Sequence, residues 1–127
     1  MTVLLDTHVI LWSLRGSPEL GGRAHTMLAG ADTRLCSVAS IWEIALKRSL
    51  GKLRIAEGFE EQIPRLGMTM LAIDPAHAAA VGSIALPHRD PFDQLLVTQA
   101  SVERVRFLTA DRAILAAGLP FVVDARK

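Results

Sequence analysis

Residues 2–14 run Thr2-Val-Leu-Leu-Asp6-Thr7-His8-Val-Ile-Leu-Trp12-Ser-Leu14. The opening Thr2–Leu5 is a short apolar run. Asp6-Thr7 then opens an apolar helical stretch that lasts to Leu14, where Gly16-Ser-Pro18 breaks it. A short buried-looking run, an acidic cap and a helix make the first half of an α/β unit. The same alternation recurs outward from this stretch. The pattern predicts further strands at Thr33–Cys36, Met68–Ile73, Val105–Leu108 and Phe121–Val123. Between them it predicts helices over Glu19–Ala29, Val38–Leu50, Glu57–Leu66, from Pro75 to just before Pro87, from Pro91 to about Val102, and over Asp111–Ala117. Gly30, Gly51 and Gly67 mark three of the stops. The strand-like runs are apolar without strict alternation, as strands covered on both faces should be. The expected fold is α/β, a three-layer α/β/α sandwich around a mostly parallel sheet of about five strands. Strand order cannot be read from this pattern.

At 127 residues and with no repeat or linker, the chain is expected to be one domain, residues 1–127. It is 50% hydrophobic, enough for a packed core and too apolar for disorder. The net charge of +1 excludes a strongly basic nucleic-acid tail, so binding of that kind must come from a local patch. Cys36 is the only cysteine, which rules out an intrachain disulfide and suits a reducing compartment. No segment resembles a signal peptide and no apolar run is long enough to span a bilayer. The chain is therefore expected to be soluble and cytoplasmic.

The acids fall where such a fold puts its sites, at the carboxyl ends of strands. Asp6 follows the first strand, and Asp111 follows the fourth behind Thr109-Ala110. Asp90 and Asp93 stand in the first turn of the helix that leads to the fourth strand. Glu43 lies inside a helix in the apolar setting Ser40-Ile-Trp-Glu-Ile-Ala45. Taken singly, each has an ordinary explanation. Asp6, Asp90 and Asp111 suit helix N-caps, and Glu43 with Lys47 suits a surface pair worth about 0.3–0.5 kcal/mol. Taken together they crowd negative charge onto one sheet edge, which is costly without a cation or a proton. A hard divalent cation with oxygen ligands, Mg²⁺ or Mn²⁺, answers that charge and brings water with it.

Four stretches carry a resemblance: Leu4-Leu5-Asp6-Thr7-His8, Ser40 to Lys47, Arg89-Asp90-Pro91-Phe92-Asp93-Gln94-Leu95-Leu96, and Leu108-Thr109-Ala110-Asp111. In this order they resemble the four motifs of PIN-domain nucleases, and above all the VapC-type toxins of bacterial toxin–antitoxin pairs. The resemblance implies a Mg²⁺-dependent endoribonuclease that hydrolyses RNA with metal-activated water. It also implies inhibition by a cognate antitoxin protein whose tail blocks the site. The residues matching the family's acids are Asp6, Glu43, Asp93 and Asp111, the expected metal and catalytic set. Asp90 matches the motif's first acid and is expected to cap the helix. Thr7 and Thr109 are expected to add hydroxyl contacts. Gln94 departs from the pattern, since members often carry Arg there.

Lys47, Arg48, Lys52 and Arg54 cluster around the end of the Glu43 helix; Lys47, Arg48 and Lys52 are the candidate phosphate contacts. Trp12 and Trp42 read as core or interface side chains. The histidines at 8, 25, 77 and 88 lack zinc-site spacing, and no Gly-rich phosphate loop or GxSxG elbow occurs. A homodimer is expected. Two other readings compete. One is a non-catalytic PIN-like binding module in which the acids only cap helices. The other is a different metal-dependent phosphoryl hydrolase, against which stands His8 where phosphatases place a second Asp.

Overall fold

The computed structural model describes residues 1–87 and 89–127. Of the four histidines, His88 lies outside the described residues. Five strands, β1 (Thr2–Leu5), β2 (Thr33–Ser37), β3 (Met68–Leu71), β4 (Arg106–Thr109) and β5 (Val122–Asp124), form one sheet in the order β3-β2-β1-β4-β5. Every pair is parallel. Seven helices connect and cover them: α1 (Thr7–Arg15), α2 (Gly22–Gly30), α3 (Val38–Ser49), α4 (Phe59–Arg65), α5 (Pro75–Ala80), α6 (Pro91–Glu103) and α7 (Arg112–Ala116).

The strands separate two cores because successive side chains point to opposite faces. On one face Val3, Leu5, Cys36 and Leu108 pack with Val9 and Ile10 of α1, Ala24 of α2, Ile44 of α3 and Ile63 of α4. On the other, Leu4 and Phe107 pack with Leu95, Leu96 and Ala100 of α6 and Ile114 of α7. The expected three-layer α/β sandwich is thus present, with a sheet that is wholly rather than mostly parallel. No helix among the described residues is long and apolar enough to cross a membrane.

The sheet grows outward from β1 in both directions, through β2 and β3 on one side and through β4 and β5 on the other. Consecutive connections therefore diverge between β1 and β4. Such a switch point opens a crevice at the carboxyl ends of the two strands.

Two helices differ from the sequence reading. The predicted helix from Pro75 towards Pro87 stops at Ala80, because Val81 turns extended and Gly82 takes φ 94°. The helix expected from Glu19 starts only at Gly22, and residues 18–20 form a turn. The cause of this delay is a tertiary contact. Gly21 N–H donates to Ala125 O at 2.8 Å, and a Cβ on Gly21 would meet Arg126 O at 2.4 Å. Only glycine lets the carboxyl-terminal segment lie that close.

Candidate functional site

The switch-point crevice is built by helix caps. Asp6 leaves β1 with its N–H on Leu108 O at 2.9 Å, then caps α1 by accepting Thr7 N–H at 2.7 Å. Asp111 leaves β4 and caps α7 by accepting Ile114 N–H at 3.0 Å. Asp90 caps α6 through Phe92 N–H and Asp93 N–H at 2.9 and 3.1 Å. Pro91 sits at the first helical position, where its missing N–H is not needed. Asp93 follows in the first turn, half-buried.

Two threonines tie the acids together. Thr109 Oγ1 donates to Asp6 Oδ2 at 2.5 Å and accepts Asp111 N–H at 3.0 Å, joining the ends of β1 and β4. Thr7 Oγ1 donates to Glu43 Oε1 at 2.6 Å and lies 2.9 Å from Ser40 Oγ, joining α1 to α3. Glu43 is 4% exposed, and its other oxygen accepts from Lys47 Nζ at 2.6 Å. So the Glu43–Lys47 pair exists, but the acid is inside the protein rather than on its surface.

Electrostatic coupling links these groups. Asp6 is 3% exposed, and its carboxyl is pushed up chiefly by burial. The hydrogen bonds from Thr109 and Thr7 and the charge of His8 oppose that rise, while Glu43 adds to it. Asp93 is pushed up to about 8, first by burial and then by the charges of Asp6, Asp90, Asp111 and Glu43. Burial alone would lower Lys47, yet Glu43, Asp90 and Asp93 lift it above its ordinary value. Asp6, Glu43, Asp90, Asp93 and Asp111 therefore meet at one end of the sheet.

A family model of the PIN domain matches residues 3–118. The chain belongs to the PIN domain family. Solved structures similar to this PIN domain over nearly its whole length include a chain of VapBC from Salmonella typhimurium bound to DNA. That match has a TM-score of 0.69 and 16% identity, and it covers 98% of each chain. VapBC2 from Rickettsia felis, bound to a promoter DNA fragment, gives 0.68 and 14%, covering 98% of this chain and 97% of that one. A toxin–antitoxin complex from Klebsiella pneumoniae gives 0.62 and 18%, covering 95% of each. At these identities the likeness is one of fold. No curated protein matches the chain.

The candidate phosphate contacts of this PIN domain are only partly disengaged. Lys47 is held by Glu43, and Arg48 Nε donates to Ile55 O at 3.1 Å. Lys52 is exposed in the loop beyond α3. Trp42 is 55% exposed and meets Phe92 edge-on at 4.8 Å, so it is not a core residue. With Val38, Leu46 and Leu50 it forms an exposed apolar ridge at four-residue spacing. Sequence reasoning did not single out Arg112 and Arg126. With His8 and Trp12 they line a cavity of about 270 Å³ that shares Asp111 with the acidic centre.

A second group of metal-capable side chains, Asp74, His77 and Glu103, sits away from this edge. The Asp74 N–H donates to His77 Nδ1 at 3.1 Å, and His77 Nε2 lies 2.9 Å from Glu103 Oε2. Nδ1 is thus an acceptor and Nε2–H donates, so both ring nitrogens serve the fold.

Proposed function

We propose that this PIN domain is a Mg²⁺-dependent endoribonuclease, the toxin of a toxin–antitoxin pair. The observation that carries the reading is the crowding of five carboxylates at the switch point, with Asp93 held at about 8. The donor set is all oxygen, and its carboxylates crowd one another enough, with burial, to raise Asp93. That fits a hard divalent cation, Mg²⁺ or Mn²⁺. Asp6, Asp93, Asp111 and Glu43 would hold it. Bound there, it would supply a Lewis acid that acidifies water and offsets charge on phosphoryl oxygens.

The chain's own residues prepare that chemistry. The Thr109 hydroxyl fixes the orientation of Asp6, and the Thr7 hydroxyl and Lys47 fix Glu43. Their supporting contacts hold the carboxylates before substrate arrives, so little reorganisation remains for the reaction step. Burial and the neighbouring carboxylates raise Asp93, and a bound cation would favour its carboxylate form. Asp90, engaged with two backbone N–H groups, keeps the start of α6 at the crevice.

Capping accounts for the positions of Asp6, Asp90 and Asp111, and this favours the rival reading of a non-catalytic binding module. It does not account for burying Glu43 or for crowding Asp93. The partner assignment is supported by the toxin–antitoxin complexes among the similar structures and by the apolar ridge on α3. Such a ridge suits contact with an antitoxin or with a second copy in a homodimer. A cytoplasmic setting suits Cys36, whose thiol is buried and pushed up to about 12.

The test is cleavage of a mixed RNA pool by the purified chain in Mg²⁺ or in EDTA. Asp6→Asn and Asp93→Asn are each expected to lose more than about 100-fold, since even outer-shell changes cost roughly 10–100-fold. Cuts that persist in EDTA or in both variants would overturn the reading. Cuts confined to wild type in Mg²⁺ would also exclude the capping-only module.

A further inference from the structure

A polyanion approaching five carboxylates needs cations nearby. Lys47, whose charge couples to the centre, is engaged by Glu43. A cavity of about 270 Å³ that adjoins Asp111 offers two more. It is lined by His8 and Trp12 one turn apart on α1, by Ala110 and Asp111 at the end of β4, and by Arg112 and Arg126. Among the described residues neither arginine has an ion-pair partner. The cavity is continuous with the centre through Asp111, and His8 on its wall stands two residues from Asp6.

Arg126 is held in place. Its Nη1 donates to Ala110 O at 2.7 Å, and its guanidinium lies over the Trp12 ring at 5.4 Å. Its backbone is fixed on both sides. Ala125 N–H donates to Thr109 O at 2.8 Å, Gly21 N–H donates to Ala125 O at 2.8 Å, and Arg23 N–H donates to Lys127 O at 2.8 Å. An exposed arginine so restrained loses little side-chain entropy when it grips an anion, and its planar fork matches phosphate oxygens. The restraint reaches the same strand end that carries the acids, since Ala110 sits between Thr109 and Asp111.

We propose that this cavity is a phosphate subsite of the nuclease. Arg112 and Arg126 grip a backbone phosphate flanking the scissile one, and Trp12 positions Arg126. The proposal rests on the nuclease reading above. It makes the strand run from the acidic centre across Asp111 into the cavity. The occupant is a nucleic-acid phosphodiester rather than an acidic protein segment, because the cavity adjoins the centre proposed to cut a phosphodiester and the planar guanidinium forks match phosphate oxygens. A phosphate contact of this kind positions the strand and carries no sequence preference.

The test compares wild type with Arg112→Ala, Arg126→Ala, Arg126→Lys and Gly21→Ala, all checked for folding by circular dichroism. Arg65→Ala on the exposed end of α4 is the control. Binding of a labelled mixed-sequence single-stranded RNA is measured in EDTA across a salt series, and cleavage of the same pool in Mg²⁺. Each Ala variant of Arg112 or Arg126 is expected to weaken binding roughly tenfold and lower the salt slope by about one. KM should rise in parallel while kcat stays within about twofold. Arg126→Lys should keep the salt slope and lose part of the affinity. Gly21→Ala, which displaces the carboxyl-terminal segment, should reproduce Arg126→Ala without touching a charge. If wild type binds and cuts RNA while both Ala variants match it in affinity and slope, the subsite is overturned and the nuclease reading stands. A fall in kcat alone overturns it equally. If wild type neither binds nor cuts the pool, both readings fall together.

Discussion

Two regions of this PIN domain gather side chains of the kind that bind metals, and they differ in how those side chains are answered. In the Asp74–His77–Glu103 group each ring nitrogen of His77 has a protein partner, and His77 N–H in turn caps onto Asp74 Oδ1 at 3.0 Å. Gln99 extends the same network. It accepts from Ser37 Oγ at 2.5 Å, and its amide donates to Ala72 O at 3.3 Å. At the switch point the carboxylates instead crowd one another, and burial first, then the charges of Asp6, Asp90, Asp111 and Glu43, drive Asp93 to about 8. Ligand type alone therefore does not mark a site. Crowding that raises a carboxyl well above its ordinary value is the further mark, because a cation gains by relieving it.

The comparison breaks first on metal-dependent stability. Mg²⁺ at a hundred times its dissociation constant should stabilise wild type by about 2.7 kcal/mol, read as a shift in the thermal midpoint. Asp6→Asn and Asp93→Asn should abolish the shift, whereas Glu103→Gln should leave it intact. A shift lost in Glu103→Gln and kept in Asp93→Asn would reverse the roles of the two regions.

Next in size is the stability of the answered network. His77→Phe leaves the Asp74 N–H and Glu103 without their buried partner, which should cost about 1–3 kcal/mol in urea unfolding. RNA cleavage per folded molecule should not change. A large loss of activity at full stability would mean that this network acts on the site.

The two regions also part in their response to pH. Asp93 has an ordinary value of 3.8 and a folded value of about 8. The folded state thus holds a proton that the unfolded chain releases. The stability linked to that proton is complete below about 3.8 and is lost as pH rises through 8. In EDTA, the urea midpoint should fall between pH 5 and pH 8, and Asp93→Asn should flatten the fall. Mg²⁺ should displace the proton, so calorimetry in buffers of different ionisation enthalpy should show proton release at pH 7. A midpoint that rises over this window would contradict the crowding.

Much of the candidate site's layout is legible because capping is local. An acid after a strand, or before Pro91, is a cap that sequence spacing exposes, and parallel topology then brings strand ends to one edge. What escaped the sequence depends on long-range contacts. The order β3-β2-β1-β4-β5 has no local signature, so the switch point between Asp6 and Asp111 appears only in the fold. The late start of α2 is dictated by Arg126, over a hundred positions away. The same contact fixes Arg126 beside Trp12, which no spacing rule connects. The short α5 was a local misreading, with Pro87 taken as the stop when Gly82 already provided one.

The smallest effect concerns Lys47, a cation coupled to the acidic group. Its pair with Glu43 spans one helical turn, and its side chain is 39% exposed, so the bond itself should contribute under about 1 kcal/mol. Its influence on metal binding is more informative. A fixed ammonium beside Glu43, within the field of Asp90 and Asp93, already offsets part of the charge that attracts Mg²⁺. Lys47→Met should therefore change metal-free stability little and tighten Mg²⁺ binding several-fold by calorimetry. Weaker binding would give Lys47 the opposite part, holding Glu43 in the orientation that the cation requires. In either case the same change on the far side of the comparison, Glu103→Gln, should leave Mg²⁺ affinity where it was, because the charge there is already answered by His77.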